Sequence, residues 1–230
     1  MTTEARWRGL YLVGAVTAIL VACVIPAQAA VFLLSPPPQT VLDYFALFQR
    51  NPVLGLLDLD LLLTVDYLAL LPLYLALFVL VLRRCATVSA IALLLGLFSV
   101  LLFLVSREAT FSMWQLSSQY AAAGSDAEKA ALVASGRMLL TMYNGGTFGL
   151  SYVLGAASTL LFSGALWRTR VLGKAAGVVG VVTGLTMLVP PNTGPVGLVL
   201  AMLSLIPTTV WLVLVARGLL RIRKTGEEPA

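Results

Sequence analysis

Histidine is absent from this 230-residue sequence, and cysteine occurs only twice, as Cys23 and Cys85. The lack of histidine removes the commonest metal ligand and the usual general base of enzymes. Both cysteines lie in or beside apolar segments with no second thiol nearby in the sequence, so a disulfide framework is not expected. The sequence therefore predicts no metal ion and no cofactor.

Charged residues are also scarce. They make up only 11% of the chain, whereas 60% of the residues are hydrophobic and the mean hydropathy is +0.97. A typical soluble domain is about half apolar and about one quarter charged. Because a soluble fold of this size would lack the polar side chains to cover its surface, we expect an integral membrane protein.

Six apolar segments are long enough to cross about 30 Å of hydrocarbon as α-helices. They cover residues 9–33, 53–82, 86–105, 146–167, 171–189 and 195–216. A helix satisfies its own backbone hydrogen bonds, as lipid requires of a spanning segment. The sequence thus predicts a single all-α domain over residues 1–230, built as a six-helix transmembrane bundle.

The basic residues predict that both termini lie in the cytoplasm, because lysine and arginine concentrate in cytoplasmic turns. With that orientation, the cytoplasmic side carries Arg6, Arg8, Arg83, Arg84, Arg168, Arg170, Lys174, Arg217, Arg221, Arg223 and Lys224. The opposite side carries only Arg50, Arg107, Lys129 and Arg137. Every cytoplasmic segment holds at least two basic residues, so the bias agrees at each crossing.

The first apolar segment also has features of a signal peptide. It follows basic residues and ends in Ala27-Gln28-Ala29, the small-residue pattern of a cleavage site. However, its apolar core is longer than that of most signal peptides and suits a full crossing. We expect a retained first helix, and the alternative is cleavage that leaves five spans.

Two long connections lie on the predicted outer side. The first contains Pro36-Pro37-Pro38 and then Val41–Phe48, an amphipathic segment that we expect to lie in the headgroup layer. The second, residues 106–145, predicts a helical hairpin cap between spans three and four. Its first helix would extend span three to Gly124, and a capping box formed by Ser125 and Glu128 would start the second helix.

Charged residues predict a polar cluster at the outer rim. At 1.5 Å per helical residue, Asp66 lies about 25 Å above Arg83, near the outer boundary and level with Arg107. We expect these two side chains to form an ion pair, with Asp58 and Asp60 beyond the boundary. The predicted outer-rim cluster consists of Asp66, Arg107, Glu108, Arg137, Tyr143 and Asn144. It would either lock three helices or form a recess for a headgroup or small polar ligand.

A second polar layer is predicted near the membrane midplane, close to Pro72 and Pro207. It consists of Tyr74, Ser99, Ser158, Thr159, Thr183, Ser204 and Thr208. Hydroxyl side chains at this depth join helices by hydrogen bonds. The alternative is a transporter site, because broken helices with polar groups at the midplane also form such sites.

The fifth span carries glycines at short helical spacings: Gly173, Gly177, Gly180 and Gly184. Small residues at this spacing allow helices to approach closely. We expect packing within the chain, and secondly a homo-oligomer or membrane-protein partner on this face. The basic tail, residues 217–224, is expected to meet anionic membrane lipid, and no nucleic-acid partner is predicted.

Two segments resemble a known family. The end of span two, Leu73–Arg84, and the run Leu160–Lys174 are similar to the prokaryotic multi-span proteins grouped as domain of unknown function 4386. The resemblance implies a helical membrane protein of prokaryotic type, and we expect it in the cytoplasmic membrane. It implies no activity, because none is assigned to the family.

Motifs of familiar enzymes are missing, including a Walker loop, a dinucleotide fingerprint and a nucleophile elbow. The leading hypothesis is therefore a non-enzymatic accessory, lipid-binding or partner-binding membrane protein. One alternative is a transporter or permease for a small, mostly apolar solute. Another is a membrane-interface enzyme that uses Asp66 or Glu108 beside Arg107 as an acid or base.

Overall fold

A computed structural model describes the backbone of residues 3–225 and the side chains from Trp7 onward. The side chain of Arg6, counted above among the cytoplasmic basic residues, lies outside the described part. The described chain is helical, and no strand occurs within residues 3–225. The all-α prediction is confirmed.

Ten α-helices and one short 3-10 helix make up the described chain. They are α1 (Thr3–Leu34), α2 (Val41–Arg50), α3 (Pro52–Asp58), α4 (Leu61–Leu82), α5 (Ala86–Ser106), α6 (Glu108–Ala122), α7 (Asp126–Tyr143), α8 (Gly146–Thr169), α9 (Lys174–Thr186), the 3-10 helix (Pro191–Thr193) and α10 (Pro195–Thr225). Within residues 3–225, six segments are long and apolar enough to cross a membrane, and they contain α1, α4, α5, α8, α9 and α10. The predicted number of apolar helices long enough to span a membrane is therefore confirmed.

The six spanning helices form a closed ring. In order around the ring, α1 packs against α4, α4 against α5, α5 against α8, α8 against α9, α9 against α10, and α10 against α1. Helices α4 and α8 also touch across the ring. This arrangement leaves a central space whose filling differs between the two halves of the bundle.

The half of the bundle that contains the end of α4 is filled by apolar side chains. Leu77 and Leu80 of α4, Phe162 of α8, and Leu212 and Leu219 of α10 are fully buried in one apolar cluster. These side chains come from helices that are apolar on every face, as expected for helices between lipid and a protein interior. We call this cluster the packed core, and it closes the central space at the end where α4 ends.

The glycines of α9 face neighbouring helices of the same chain. A Cβ on Gly177 would collide with the backbone of Trp167, and one on Gly184 would collide with Leu160, both in α8. A Cβ on Gly180 would meet Ser163 of α8 and Trp211 of α10. The expected packing within the chain is thus seen. A partner on α9 would have to use its other faces, and such a partner remains a prediction.

A second apolar cluster lies beyond the other end of the ring. It joins the buried face of α2 to Leu59 and Met113, and the α2 residues are Val41, Tyr44, Phe45 and Phe48. The amphipathic helix predicted at Val41–Phe48 is present. Its apolar face is covered by protein from α3 and α6, and Val41 packs close to Gly136 of α7, whereas its place in the headgroup layer remains a prediction.

Helices α6 and α7 pack together as a hairpin. The predicted N-cap is confirmed, since Ser125 accepts a hydrogen bond from the Glu128 N–H at 3.2 Å, whereas Glu128 accepts one from the N–H of Gly124 at 3.1 Å instead of that of Ser125. The predicted extension of span three is present, because α6 follows α5 directly and ends at Ala122, but Arg107 interrupts the α-helix between them. That this hairpin caps the outer face of the membrane remains a prediction.

Candidate ligand-binding cavity

The second predicted span does not run unbroken from residue 53. It breaks at Leu59 and Asp60, where Asp60 adopts a left-handed backbone conformation with φ of 64°. The break frees backbone carbonyls, and buried carbonyls need partners. Gln28 of α1 donates to the Leu57 carbonyl at 3.3 Å, and the Thr110 hydroxyl of α6 donates to the Leu59 carbonyl. Side chains from two other helices therefore hold the break in place.

Arg107 occupies the interruption between α5 and α6 and faces the break at Asp60. Its Nε lies 3.0 Å from a carboxylate oxygen of Asp60, and its Nη1 donates to the Tyr143 carbonyl at 2.9 Å. The Tyr143 hydroxyl donates to the same Asp60 oxygen. We call Asp60, Arg107 and Tyr143 the rim cluster. It joins the starts or ends of α4, α5 and α7, so three helix interruptions are fixed at one level.

Aromatic rings surround the Arg107 guanidinium. Its central carbon lies 4.0 Å from the ring centroid of Tyr143 and 4.5 Å from those of Phe103 and Phe148. Cation–π contacts of this kind stabilise a guanidinium that has left water. Together with Asp60 they account for how a charged arginine side chain is almost completely buried.

The predicted ion pair between Asp66 and Arg107 is wrong, because Arg107 pairs with Asp60. The error follows from the break. A continuous helix would carry Asp60 beyond the boundary, but the helix break at Leu59 and Asp60 places the Asp60 side chain in the buried interior. Nearby, Asn192 donates to the carbonyls of Asn144 and Gly145 at 2.8 and 3.1 Å, which ties the 3-10 helix to the same level.

Burial perturbs the acids and a tyrosine outside the spans. Burial raises the pKa of Asp60, whereas the Arg107 guanidinium and the Tyr143 hydroxyl oppose that rise. Burial also raises the pKa of Asp58, and the nearby Ser35 hydroxyl opposes that rise. Burial, together with the charges of Asp58 and Asp60, raises the pKa of Tyr44, so this tyrosine is neutral near pH 7.

A cavity of about 450 Å³ lies inside the ring, between the rim cluster and the packed core. All six spanning helices contribute to its wall. Most of the lining is aliphatic or aromatic, and the aromatic part consists of Phe32, Tyr67, Tyr74, Phe103, Tyr143, Phe148, Tyr152 and Trp211. Its volume and its mainly apolar wall with a few polar groups are typical of small-molecule sites.

Asp66 is the second acid on the cavity wall, and it is not part of the rim cluster. It lies six residues, or about 9 Å along the helix, beyond Asp60 towards the packed core. The residue is only 5% exposed, and its Oδ1 atom is buried without a hydrogen-bond partner among the described residues. No salt bridge reaches Asp66 within the described chain, so its charge is not neutralised by protein.

The structure brings most, but not all, of the predicted outer-rim cluster to the cavity. Asp66, Arg107, Tyr143 and Asn144 line it. Glu108 and Arg137 do not line it and are exposed, and Glu108 instead accepts a hydrogen bond from Ser112 at 2.7 Å. Helix α6 starts anew after the interruption at Arg107, which separates Glu108 from the cavity wall.

The predicted midplane layer also lies mainly on the cavity wall. The residues that line it are Tyr74, Ser99, Thr159, Thr183, Ser204 and Thr208. Ser158 is buried between helices instead and donates to the Ala92 carbonyl at 2.7 Å. Ser99 donates to the Ser151 carbonyl at 2.7 Å, so these two serines join α5 to α8 as expected. Thr183, Ser204 and Thr208 bond carbonyls of their own helices.

The aromatic wall was missed, although the sequence carried a signal for it. Phe103 precedes Arg107 by four residues, and Phe148 precedes Tyr152 by four, so each pair shares a helix face. Aromatic residues at such spacings beside an arginine mark a face turned towards a buried cation. Asn192 had no comparable signal, because its role depends on how the 3-10 helix packs against the start of α8.

No group of three or more metal-ligating side chains that could hold a metal ion occurs among the described residues. No curated protein and no solved structure matches this chain. A family model described as Domain of unknown function (DUF4386) matches residues 9–219, a range that includes the rim cluster and most of every spanning helix. The chain therefore belongs to the DUF4386 family.

Proposed function

We propose that this protein is a non-enzymatic membrane component that binds a lipid-like amphiphile in the cavity enclosed by its six spanning helices. The observation that carries the proposal is the cavity of about 450 Å³, closed at one end by the packed core and polar at the other. Known ligand pockets have volumes of about 300–1,000 Å³ and are mostly apolar with a few placed polar groups.

The polarity of the wall matches an amphiphile. Apolar and aromatic side chains line the length of the cavity, whereas the rim cluster, Asn144 and Asn192 lie at one end. The apolar chain of an amphiphile would contact the apolar length of the cavity, and its polar head would lie at the end that carries the polar residues. The cavity has room for about 15 water molecules, but water needs two to four polar partners in such a site and much of this wall offers none.

Access from the surrounding lipid is supported by the part of α10 nearest its start. Leu198 and Met202 line the cavity, yet they are 51% and 54% exposed, so this stretch of α10 does not seal it. Pro207 interrupts the hydrogen bonding of α10 between this stretch and the tightly packed part near Trp211. A molecule dissolved in the membrane could thus enter without crossing water.

The alternatives have less support. A permease needs a path across the membrane, and the packed core of fully buried Leu77, Phe162 and Leu212 blocks such a path in this conformation. An interface enzyme would need Asp66 or Glu108 beside Arg107, but Arg107 is engaged by Asp60 and Glu108 lies away from the cavity. The basic residues support placement in a cytoplasmic membrane with both termini inside.

Native mass spectrometry of the purified protein tests the proposal. Ala201 is buried on the cavity wall, so Ala201→Phe should fill the cavity and remove amphiphiles that copurify with the wild type. Val199→Phe is the matched control, because Val199 lies on the same helix, is 57% exposed and does not line the cavity. Equal ligand content in the wild type and Ala201→Phe would show that the cavity is not the site.

A further inference from the structure

The charges on the cavity wall do not balance. Asp60, Asp66 and Arg107 are the charged residues that line it. Arg107 and Asp60 neutralise each other at 3.0 Å, and the Tyr143 hydroxyl donates a hydrogen bond to the Asp60 carboxylate. The remaining charge is the carboxylate of Asp66, so the wall carries a formal charge of −1 when Asp66 is ionised. An uncompensated charge inside a membrane protein is costly and marks a functional site.

Asp66 shares the cavity wall with several aromatic side chains. Tyr67 stacks on Phe103 with ring centroids 3.6 Å apart, and Tyr74 and Tyr152 also face the cavity. Aromatic faces attract cations, and aromatic-lined sites recognise quaternary ammonium groups in particular. A single carboxylate among aromatic rings thus has two independent features that favour an organic cation.

We propose that the cavity binds an organic ammonium joined to an apolar body, with Asp66 as its counter-ion. This inference rests on the proposed function and specifies the ligand. An anionic headgroup is disfavoured because Arg107 is already neutralised by Asp60. A calcium ion would require six to eight oxygen ligands, whereas the Asp66 carboxylate has no acidic neighbour besides the engaged Asp60 on the wall.

The cavity volume limits the size of the ligand. At about 30 Å³ per water-sized atom, 450 Å³ holds roughly 15 non-hydrogen atoms. Decyltrimethylammonium is close to this size, and its cation has no N–H, so it can pair with Asp66 only through charge. Decanol is a neutral probe with the same apolar chain.

Binding of both probes to the full-length protein tests the inference. The protein is placed in nanodiscs of phosphatidylglycerol, a lipid without an ammonium group, and binding to empty nanodiscs is subtracted. We expect the wild type to bind decyltrimethylammonium more tightly than decanol. Asp66→Asn should weaken binding of the cation by about 10- to 100-fold, the range for a lost interaction with a charged group, and leave decanol unchanged.

Two variants serve as controls. Asp66→Glu keeps the charge and should retain the preference for the cation. Asp126→Asn removes an exposed carboxylate outside the cavity and should bind both probes as the wild type does. Because the comparison of the two probes in the wild type needs no variant, the inference can be refuted even if Asp66→Asn fails to fold.

The outcomes separate the two proposals. Equal binding of both probes by the wild type would overturn the role of Asp66 and leave amphiphile binding intact. Failure of the wild type to bind either probe, together with no effect of Ala201→Phe on copurifying amphiphiles, would overturn both. Added phosphatidylethanolamine distinguishes two sources of the ammonium group. If this lipid displaces the bound decyltrimethylammonium, the natural ligand is a lipid headgroup. If it does not, the natural ligand is a free amphiphilic amine. Either source supports the inference.

Discussion

Loss of Arg107 is expected to be among the most damaging single changes in this protein. The Arg107 and Asp60 side chains are 3% and 6% exposed and lie 3.0 Å apart. At that distance, Coulomb attraction is about 5–6 kcal/mol for an effective dielectric constant of about 20. Arg107→Met would leave Asp60 buried without its counter-ion, and we expect a loss of about 3–5 kcal/mol in the free energy of unfolding.

A double-mutant cycle isolates the pair, measured by denaturant unfolding in detergent micelles. Asp60→Asn removes the charge but keeps a residue type that tolerates the left-handed backbone at this position. The double variant Asp60→Asn/Arg107→Met buries no unpaired charge, so it should recover much of the stability lost by either single variant. Arg137→Met, at an exposed position, should change stability by less than about 0.5 kcal/mol. A loss below about 1 kcal/mol for Arg107→Met would refute the buried pair.

Three further predictions concern other parts of the chain. Because burial raises the pKa of Asp58, the folded state holds this proton more tightly than the unfolded chain, so stability should fall as the pH rises from the ordinary carboxyl pKa of 3.8 through the raised value. In thermal melts at several pH values, Asp58→Asn should lose this pH dependence. If the variant and the wild type change their melting temperature equally with pH, Asp58 does not cause it. Gly180→Ala should destabilise the protein by about 1–3 kcal/mol by clashing with Ser163 and Trp211, whereas Gly164→Ala, which meets nothing within 4 Å, should be neutral or slightly stabilising in the same unfolding assay. A cytoplasm-active reporter should work when fused after α10 and fail when inserted at Gly124, and the reverse pattern would invert the predicted orientation.

Local chemistry was sufficient to predict most of the helices. Hydropathy located all six spans, and the capping box at Ser125 and Glu128 located the start of α7. These signals succeed because they depend on residues close in sequence: an apolar run of sufficient length, or a hydroxyl three positions before an acid. The α7–α8 boundary at Asn144 and Gly145 follows the same logic.

The break at Leu59 and Asp60 could not be predicted in this way. It contains neither glycine nor proline, and Gln28 and Thr110, from distant parts of the chain, satisfy its free carbonyls. Missing the break assigned the wrong acid to Arg107. It also led to a predicted ion pair for Asp66, whereas in the structure no described residue pairs with this cavity-lining acid.

The most direct test of the account is an experimental structure of the protein in lipid nanodiscs, at a resolution that shows side chains and bound lipid. We expect elongated density inside the ring of six spanning helices, with its polar end near the Asp66 carboxylate and its apolar part along the apolar cavity wall. A ring in which side chains fill the cavity, or a cavity occupied by water alone, would contradict the proposed binding site.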